Sequence, residues 1–93
     1  MLSHIEANEL LDVYGELLTS RQLEILELYY REDLSYSEIS EELKISRAAI
    51  QDSVRKSINQ LKKYESVVQY IEKRNKVFEC LEQGQIERIQ EIL

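Results

Sequence analysis

The residues whose types and spacing point to a chemistry lie in one stretch, YSEISEELKISRAAIQDSVRKSINQLKK, from Tyr36 to Lys63. Ser46 is a strong helix N-cap. A helix starting after it carries Arg47, Ala48, Gln51, Asp52 and Arg55 on its outer, N-terminal face, the part of a recognition helix that enters a DNA major groove. Arg47 and Arg55 suit guanine edges or phosphates, and Gln51 suits adenine. Lys56, Lys62 and Lys63 sit further along and suit phosphate contacts, which position a protein without specifying a sequence. The candidate nucleic-acid-binding set is therefore Ser46, Arg47, Ala48, Gln51, Arg55, Lys56, Lys62 and Lys63. Asp52 sits among them with the opposite sign. It repels phosphate, and although a carboxylate accepts from a cytosine amino group, the spacing to Arg55 and Lys56 favours an intrahelical ion pair.

No other residues gather into a catalytic or metal-binding pattern, so neither site, no cofactor and no small-molecule substrate is expected. His4, the single histidine, stands near the N-terminus with no partners at ligand spacing and reads as a surface residue. Cys80, the single cysteine, has no matching histidine and reads as a packed thiol. Glu41 and Glu42 are a solvated pair. There is neither a glycine-rich phosphate loop nor a nucleophile elbow, so the chain does not read as an enzyme.

The elements that must position the basic stretch are helices. The chain has no proline and only two glycines, Gly15 and Gly84. A first helix is predicted from about Ser3 to Leu18, with Ser3 and Glu6 as a capping box and Leu10, Leu11, Tyr14, Leu17 and Leu18 at helical spacing. Gly15 inside it marks a close contact or a weak point. A second helix starts at Thr19 or Ser20, runs to Tyr30 and is apolar almost all round, as a helix central to a core would be. Ser35 and Glu38 cap a short helix, Tyr36 to Leu43, that buries Ile39 and Leu43. Lys44 and Ile45 make a turn, and Ser40 is the small residue that lets two helices cross closely, with Ile45 and Ile50 filling the angle. The helix after Ser46 buries Ile50, Val54, Ser57, Ile58 and Leu61, with nothing to stop it before Glu65 and Ser66. An amphipathic segment with Val67, Val68, Ile71, Val77, Phe78 and Leu81 ends at Gly84, and a last short helix carries Ile86, Ile89, Ile92 and Leu93. Tyr14, Tyr29, Tyr30 and Tyr36 are expected in the core region.

A length of 93 residues, 43% hydrophobic and 32% charged, fits a single domain over 1–93 with a modest core. The helix-turn-helix unit spans about 36–63 and the C-terminal helices about 64–93. No apolar run reaches the roughly 18 residues of a membrane span, the start lacks the order of a signal peptide, and one cysteine suits a reducing compartment, so a cytoplasmic protein away from membranes is expected. Net charge is −6, but it is unevenly spread. Residues 1–43 hold eleven acids and two bases, 44–64 six bases and one acid, and 65–93 six acids and four bases. Screening over about 8–10 Å lets the local +5 block act on a phosphate backbone, while the flanking acids weaken the attraction.

On these residues the segment LLTSRQLEILELYYREDLSYSEISEELKISRAAIQDSVRKSINQLKK resembles region 4 of bacterial sigma factors, and the chain as a whole is similar to the YlxM family of small bacterial proteins. The match is carried by Leu18, Thr19, Gln22, Glu27, Leu28, Tyr29, Tyr30, Ser35, Glu38, Ile39, Glu42, Ser46, Arg47, Ala49, Ile50, Asp52, Arg55 and Lys56, and it fades after about Tyr64. The resemblance implies an all-α helical bundle with a central sigma-region-4-like helix-turn-helix and extra C-terminal helices. It also implies a DNA-binding or regulatory role linked to the signal recognition particle. Two departures stand out. Lys44 occupies a turn position where many such proteins have glycine, so the backbone there must be strained or altered. The C-terminal part is shorter and more acidic than the family's pattern.

Two functions from different classes follow. In the first, the chain is a regulator that binds double-stranded DNA, with signal-recognition-particle components as further partners. In the second, it is a protein-interaction adaptor that keeps the helix-turn-helix shape without DNA, its acidic helices docking on a basic partner. The apolar stripe of Tyr64, Val67, Val68, Tyr70, Ile71 and Phe78 either folds back on the core or meets a second copy. A homodimer suits the first reading, because two recognition helices must sit about 34 Å apart on DNA.

Overall fold

The structure, a computed structural model, describes residues 2–82 and 84. Among them the fold is all-α. Its helices are α1 (His4–Tyr14), α2 (Ser20–Tyr30), α3 (Tyr36–Leu43), α4 (Arg47–Val68) and α5 (Tyr70–Glu82), with a 3-10 turn at Gly15–Leu17. The last predicted helix, with Ile86, Ile89, Ile92 and Leu93, lies outside the described residues.

Each of the first four helices starts where a side chain accepts a backbone N–H that the helix itself leaves unpaired. Ser3 Oγ accepts from Glu6 N and Ser46 Oγ from Ala49 N, both at 3.2 Å. Ser35 and Glu38 form both halves of the predicted box at 3.1 Å. Thr19 and Gln22 form a second full box, at 3.2 and 3.0 Å, that the sequence reading left unnamed. At Ser3 the reciprocal bond from Glu6 does not form, so that predicted box is only half made.

The helices α2 and α3 end at Tyr30 and Leu43 as expected, but α1 and α4 depart from expectation. The first helix stops at Tyr14, short of the predicted Leu18. Gly15 follows, buried, with Leu23 Cδ1 only 3.2 Å from where a Cβ would stand. The chain tightens into a 3-10 turn there and closes on itself through the Leu18 N–H to the Gly15 carbonyl, 3.0 Å. The long helix α4 runs past Glu65 and Ser66 to Val68 and breaks at Gln69, which takes a left-handed backbone, φ 56°. Glu65 holds the corner, because its Oε1 accepts both the Tyr14 hydroxyl and the Ile71 N–H at 2.9 Å.

The inner face of α4 is the centre of the molecule. Ile50, Val54, Ile58 and Leu61 pack with Ala7, Leu10, Leu11 and Tyr14 of α1, Ile25, Leu26 and Tyr30 of α2, and Ile39 of α3. Leu26, Ile39, Ile50 and Leu61 are fully enclosed, and burying side chains of that size stabilises the fold by about 1.5–3 kcal/mol each. Of the tyrosines, Tyr14 and Tyr30 are buried, while Tyr29 and Tyr36 pack half-buried on the core's edge. The apolar stripe divides: Ile71 and Tyr64 join the core, whereas Val67, Val68, Tyr70 and Phe78 stay exposed.

Candidate nucleic-acid interface

The helix-turn-helix is built by α3, the turn Lys44–Ser46 and α4. The turn works without glycine. Lys44 adopts the left-handed conformation at φ 56° and ψ 43°, donating its N–H to the Ser40 carbonyl. A non-glycine residue there costs roughly 1–2 kcal/mol. Two bonds offset it: Ile45 N–H reaches the same carbonyl at 3.2 Å, and the Ser40 hydroxyl donates to the Ile45 carbonyl. Ser40 is thus both the small residue at the crossing and a clamp on the turn.

Beyond the turn, the candidate residues fall into three groups. Ser46 is occupied as the cap of α4. Ala48, Gln51, Arg55 and Lys62 gather around a concavity of about 440 Å³ together with Asp52, Ile58, Asn59 and Tyr36. Arg47 stands apart from them and lines a neighbouring hollow with Ser35, Ser37 and Glu38 of the α3 start and with His4 and Asp33. Lys56 and Lys63 are exposed on the flank of α4, outside both hollows. The face is therefore a shallow trough along α4 with cations at its rim.

Asp52 makes the predicted pairs. Arg55 Nη2 lies 2.6 Å from its Oδ1 and Lys56 Nζ 3.0 Å from its Oδ2. Hydrogen bonds from Lys56 and then Arg55 hold the carboxyl below its usual range. Those two cations are therefore partly neutralised. Among the described residues, five cations have no acid at ion-pair distance: Lys44, Arg47, Lys62, Lys63 and Lys73. Four of them belong to the helix-turn-helix unit, so that unit holds most of the uncompensated positive charge.

Sequence reasoning missed Tyr36, Asn59 and Lys44. Tyr36 opens α3 and forms one wall of the trough, its ring 4.8 Å from that of Tyr29. Burial and a hydrogen bond with Tyr29 push its hydroxyl up to about 12, so it stays neutral. An aromatic residue at the first position of α3 was the available signal. His4, read as a surface residue, is exposed, with its Nε2 3.1 Å from Asp33 Oδ1 and its ring edge-on to Tyr30 at 5.3 Å. The contact with Asp33 spans 29 positions, beyond any local rule. No group of three or more His, Cys, Asp or Glu residues among the described ones is placed to hold a metal ion. No described helix is long and apolar enough to cross a membrane.

Comparison with known proteins places this geometry in a family. The profile of UPF0122, described as "Putative helix-turn-helix protein, YlxM / p13 like", matches residues 1–92. A UPF0122 protein of Pediococcus pentosaceus is 48% identical over 58 residues, covering 62% of this chain and 51% of the relative. A UPF0122 protein of Malacoplasma penetrans is 48% identical over 62 residues, 67% of this chain and 58% of the relative. One from Clostridium kluyveri is 39% identical over 79 residues, 85% of this chain and 71% of the relative. The matched part thus spans little more than half the length of the first two relatives.

Proposed function

We propose that this chain, which belongs to the UPF0122 family of YlxM/p13-like helix-turn-helix proteins, binds double-stranded DNA through the outer face of α4 and acts as a regulator rather than an enzyme. The supporting observation is the gathering of unpaired cations on the helix-turn-helix unit. In this reading Arg47, Gln51 and Arg55 face base edges or adjacent phosphates, while Lys56, Lys62 and Lys63 hold the backbone. Ser46 fixes the start of the helix, and Ala48 keeps its surface low enough to approach the groove. Asp52 orients the Arg55 guanidinium at some loss of net charge.

The same reading includes a cytoplasmic location and a regulatory link to the signal recognition particle, which the YlxM resemblance implies. It includes a homodimer built on the exposed corner of Val67, Val68, Tyr70 and Phe78, an apolar group that water disfavours. Light scattering on the eluting protein reads that state directly.

The test is a salt titration of binding to duplex DNA, followed by fluorescence anisotropy. Wild type should lose affinity steeply with salt, and the Arg47→Ala, Arg55→Ala double variant should bind more weakly with a slope shallower by up to about two. Equal and negligible binding by both at low salt overturns the proposal and leaves the adaptor in its place.

A further inference from the structure

The trough along α4 holds more than charge. Tyr36 of α3 and Ala48 of α4 line the same concavity. Ala48 is exposed, and Tyr36 is half-buried against the edge of the core. The Tyr36 ring is braced by Tyr29 at 4.8 Å, and Tyr29 by the buried Tyr30 at 4.8 Å. A methyl group and a ring fixed in this way make an apolar spot on a face that elsewhere carries Asp52, Arg55 and Lys62.

Gln51, one turn after Ala48, lines the concavity too and makes no side-chain hydrogen bond among the described residues. Its amide therefore offers a donor and an acceptor together. Arg55, a turn further on, is held by Asp52 at 2.6 Å, and Arg47 lines the neighbouring hollow. The start of the trough thus presents an apolar spot beside an uncommitted amide, with no uncommitted guanidinium. Base edges in the major groove sort against that pair. Adenine shows N7 and the N6 amino group, which an amide matches with two bonds, and thymine carries a 5-methyl that apolar side chains contact. Guanine shows two acceptors, which suit a guanidinium, and cytosine has no methyl. Ala48 and Gln51 lie about 4.5 Å apart along the helix axis, close to the roughly 3.4 Å between stacked base pairs, so they meet the same pair or adjacent ones.

We propose that the Tyr36–Ala48 spot receives a thymine 5-methyl while the Gln51 amide holds adenine, so that the chain selects A·T pairs. This rests on the DNA reading and adds to it the base class selected. Tyr36, from the helix before the turn, is then a specificity-determining residue as well as a wall of the trough.

Two duplexes test it: one of alternating A·T pairs, and the same duplex with every thymine replaced by deoxyuridine. The replacement removes the methyl and keeps every hydrogen-bonding group. In anisotropy titrations at about 50 mM salt, wild type should bind the thymine duplex about three- to fourfold more tightly, the worth of one buried methyl group. In Ala48→Gly and in Tyr36→Ala that ratio should fall toward one. A purely structural defect would weaken both duplexes alike and keep the ratio, and Ala48→Gly carries the test where Tyr36→Ala fails to fold. Gln51→Ala should lower the preference for alternating A·T over alternating G·C pairs at least about fivefold. Measurable but equal binding of the thymine and deoxyuridine duplexes by wild type overturns the proposal and leaves the DNA reading standing. A ratio that survives Ala48→Gly and Tyr36→Ala does the same. No binding to any of these duplexes at low salt overturns the DNA reading, and this inference with it.

Discussion

Asp52 shows how one side chain sets the character of a binding face. It lines the trough and holds Arg55 and Lys56 by i+3 and i+4 contacts, an arrangement that spacing alone foretold. The Tyr36–Tyr29 contact on the same face was out of reach of such rules, because it joins two helices across the 31–35 link. Asp52 is only half-buried and its partners are exposed, so its pairs add little to folding. Its depressed carboxyl means that what they add is present above the ordinary aspartate range and is lost as pH falls through the lower folded value. The larger consequence is for binding. Asp52→Asn removes one negative charge shared by the two cations, so affinity for duplex DNA at about 0.1 M salt should rise and the salt slope steepen by up to about one. Anisotropy titrations at several salt concentrations measure both quantities. A loss of affinity instead would mean that Asp52 orients Arg55 for a contact worth more than the charge it removes.

At the scale of elements, the starts of α1 to α4 and the ends of α2 at Tyr30 and α3 at Leu43 were legible, and the ends of α1 and α4 were not. A start is local chemistry: Ser35 and Ser46 sit one residue before their helices and accept backbone N–H groups three residues on. The ends of α1 and α4 meet contacts from across the fold. Gly15, where α1 gives way to the 3-10 turn, has Leu23 packed 3.2 Å from where a Cβ would stand, and at Gln69, where α4 turns, Glu65 bonds the Tyr14 hydroxyl 51 positions away as well as the start of α5. No glycine or proline marks that corner. The helix-turn-helix was readable throughout because its signals are sequential, whereas the path of α5 required knowledge of Tyr14. Glu65 should therefore carry much of the corner's stability. Removing its carboxylate takes away two hydrogen bonds to a charged acceptor, worth about 1.5–3 kcal/mol each. Urea unfolding of Glu65→Ala should show a loss of about 2–4 kcal/mol, less than the full sum because the Tyr14 hydroxyl can turn toward water. A loss below about 0.5 kcal/mol would show that packing of Tyr64 and Ile71 holds the corner by itself.

Across the whole molecule, charge is sorted along the chain, and the sorting decides what a polyanion meets. The net charge of −6 opposes DNA, but only charges near α4 are felt strongly, since screening acts over about 8 Å at physiological salt. The acids of α3, Glu41 and Glu42, are exposed immediately before the turn that leads into α4. Glu16 follows Tyr14, whose ring meets Tyr64, and Glu72 lies on α5 beyond the corner. Arg47 and Tyr64 are separated by about 25 Å of helix, roughly three screening lengths. Two equal changes of charge should therefore have unequal effects. At about 10 Å in water each neutralised acid is worth about 0.4 kcal/mol, so Glu41→Gln, Glu42→Gln should tighten binding about three- to fivefold in 50 mM salt. Glu16→Gln, Glu72→Gln should change it by less than about twofold. The advantage of the α3 pair should shrink as salt rises and vanish near 1 M, where screening falls to about 3 Å. Equal gains from the two pairs would mean that total charge governs the encounter rather than the local field of the recognition helix. No gain from either, with measurable binding by wild type, would move the DNA contact away from the N-terminal half of α4.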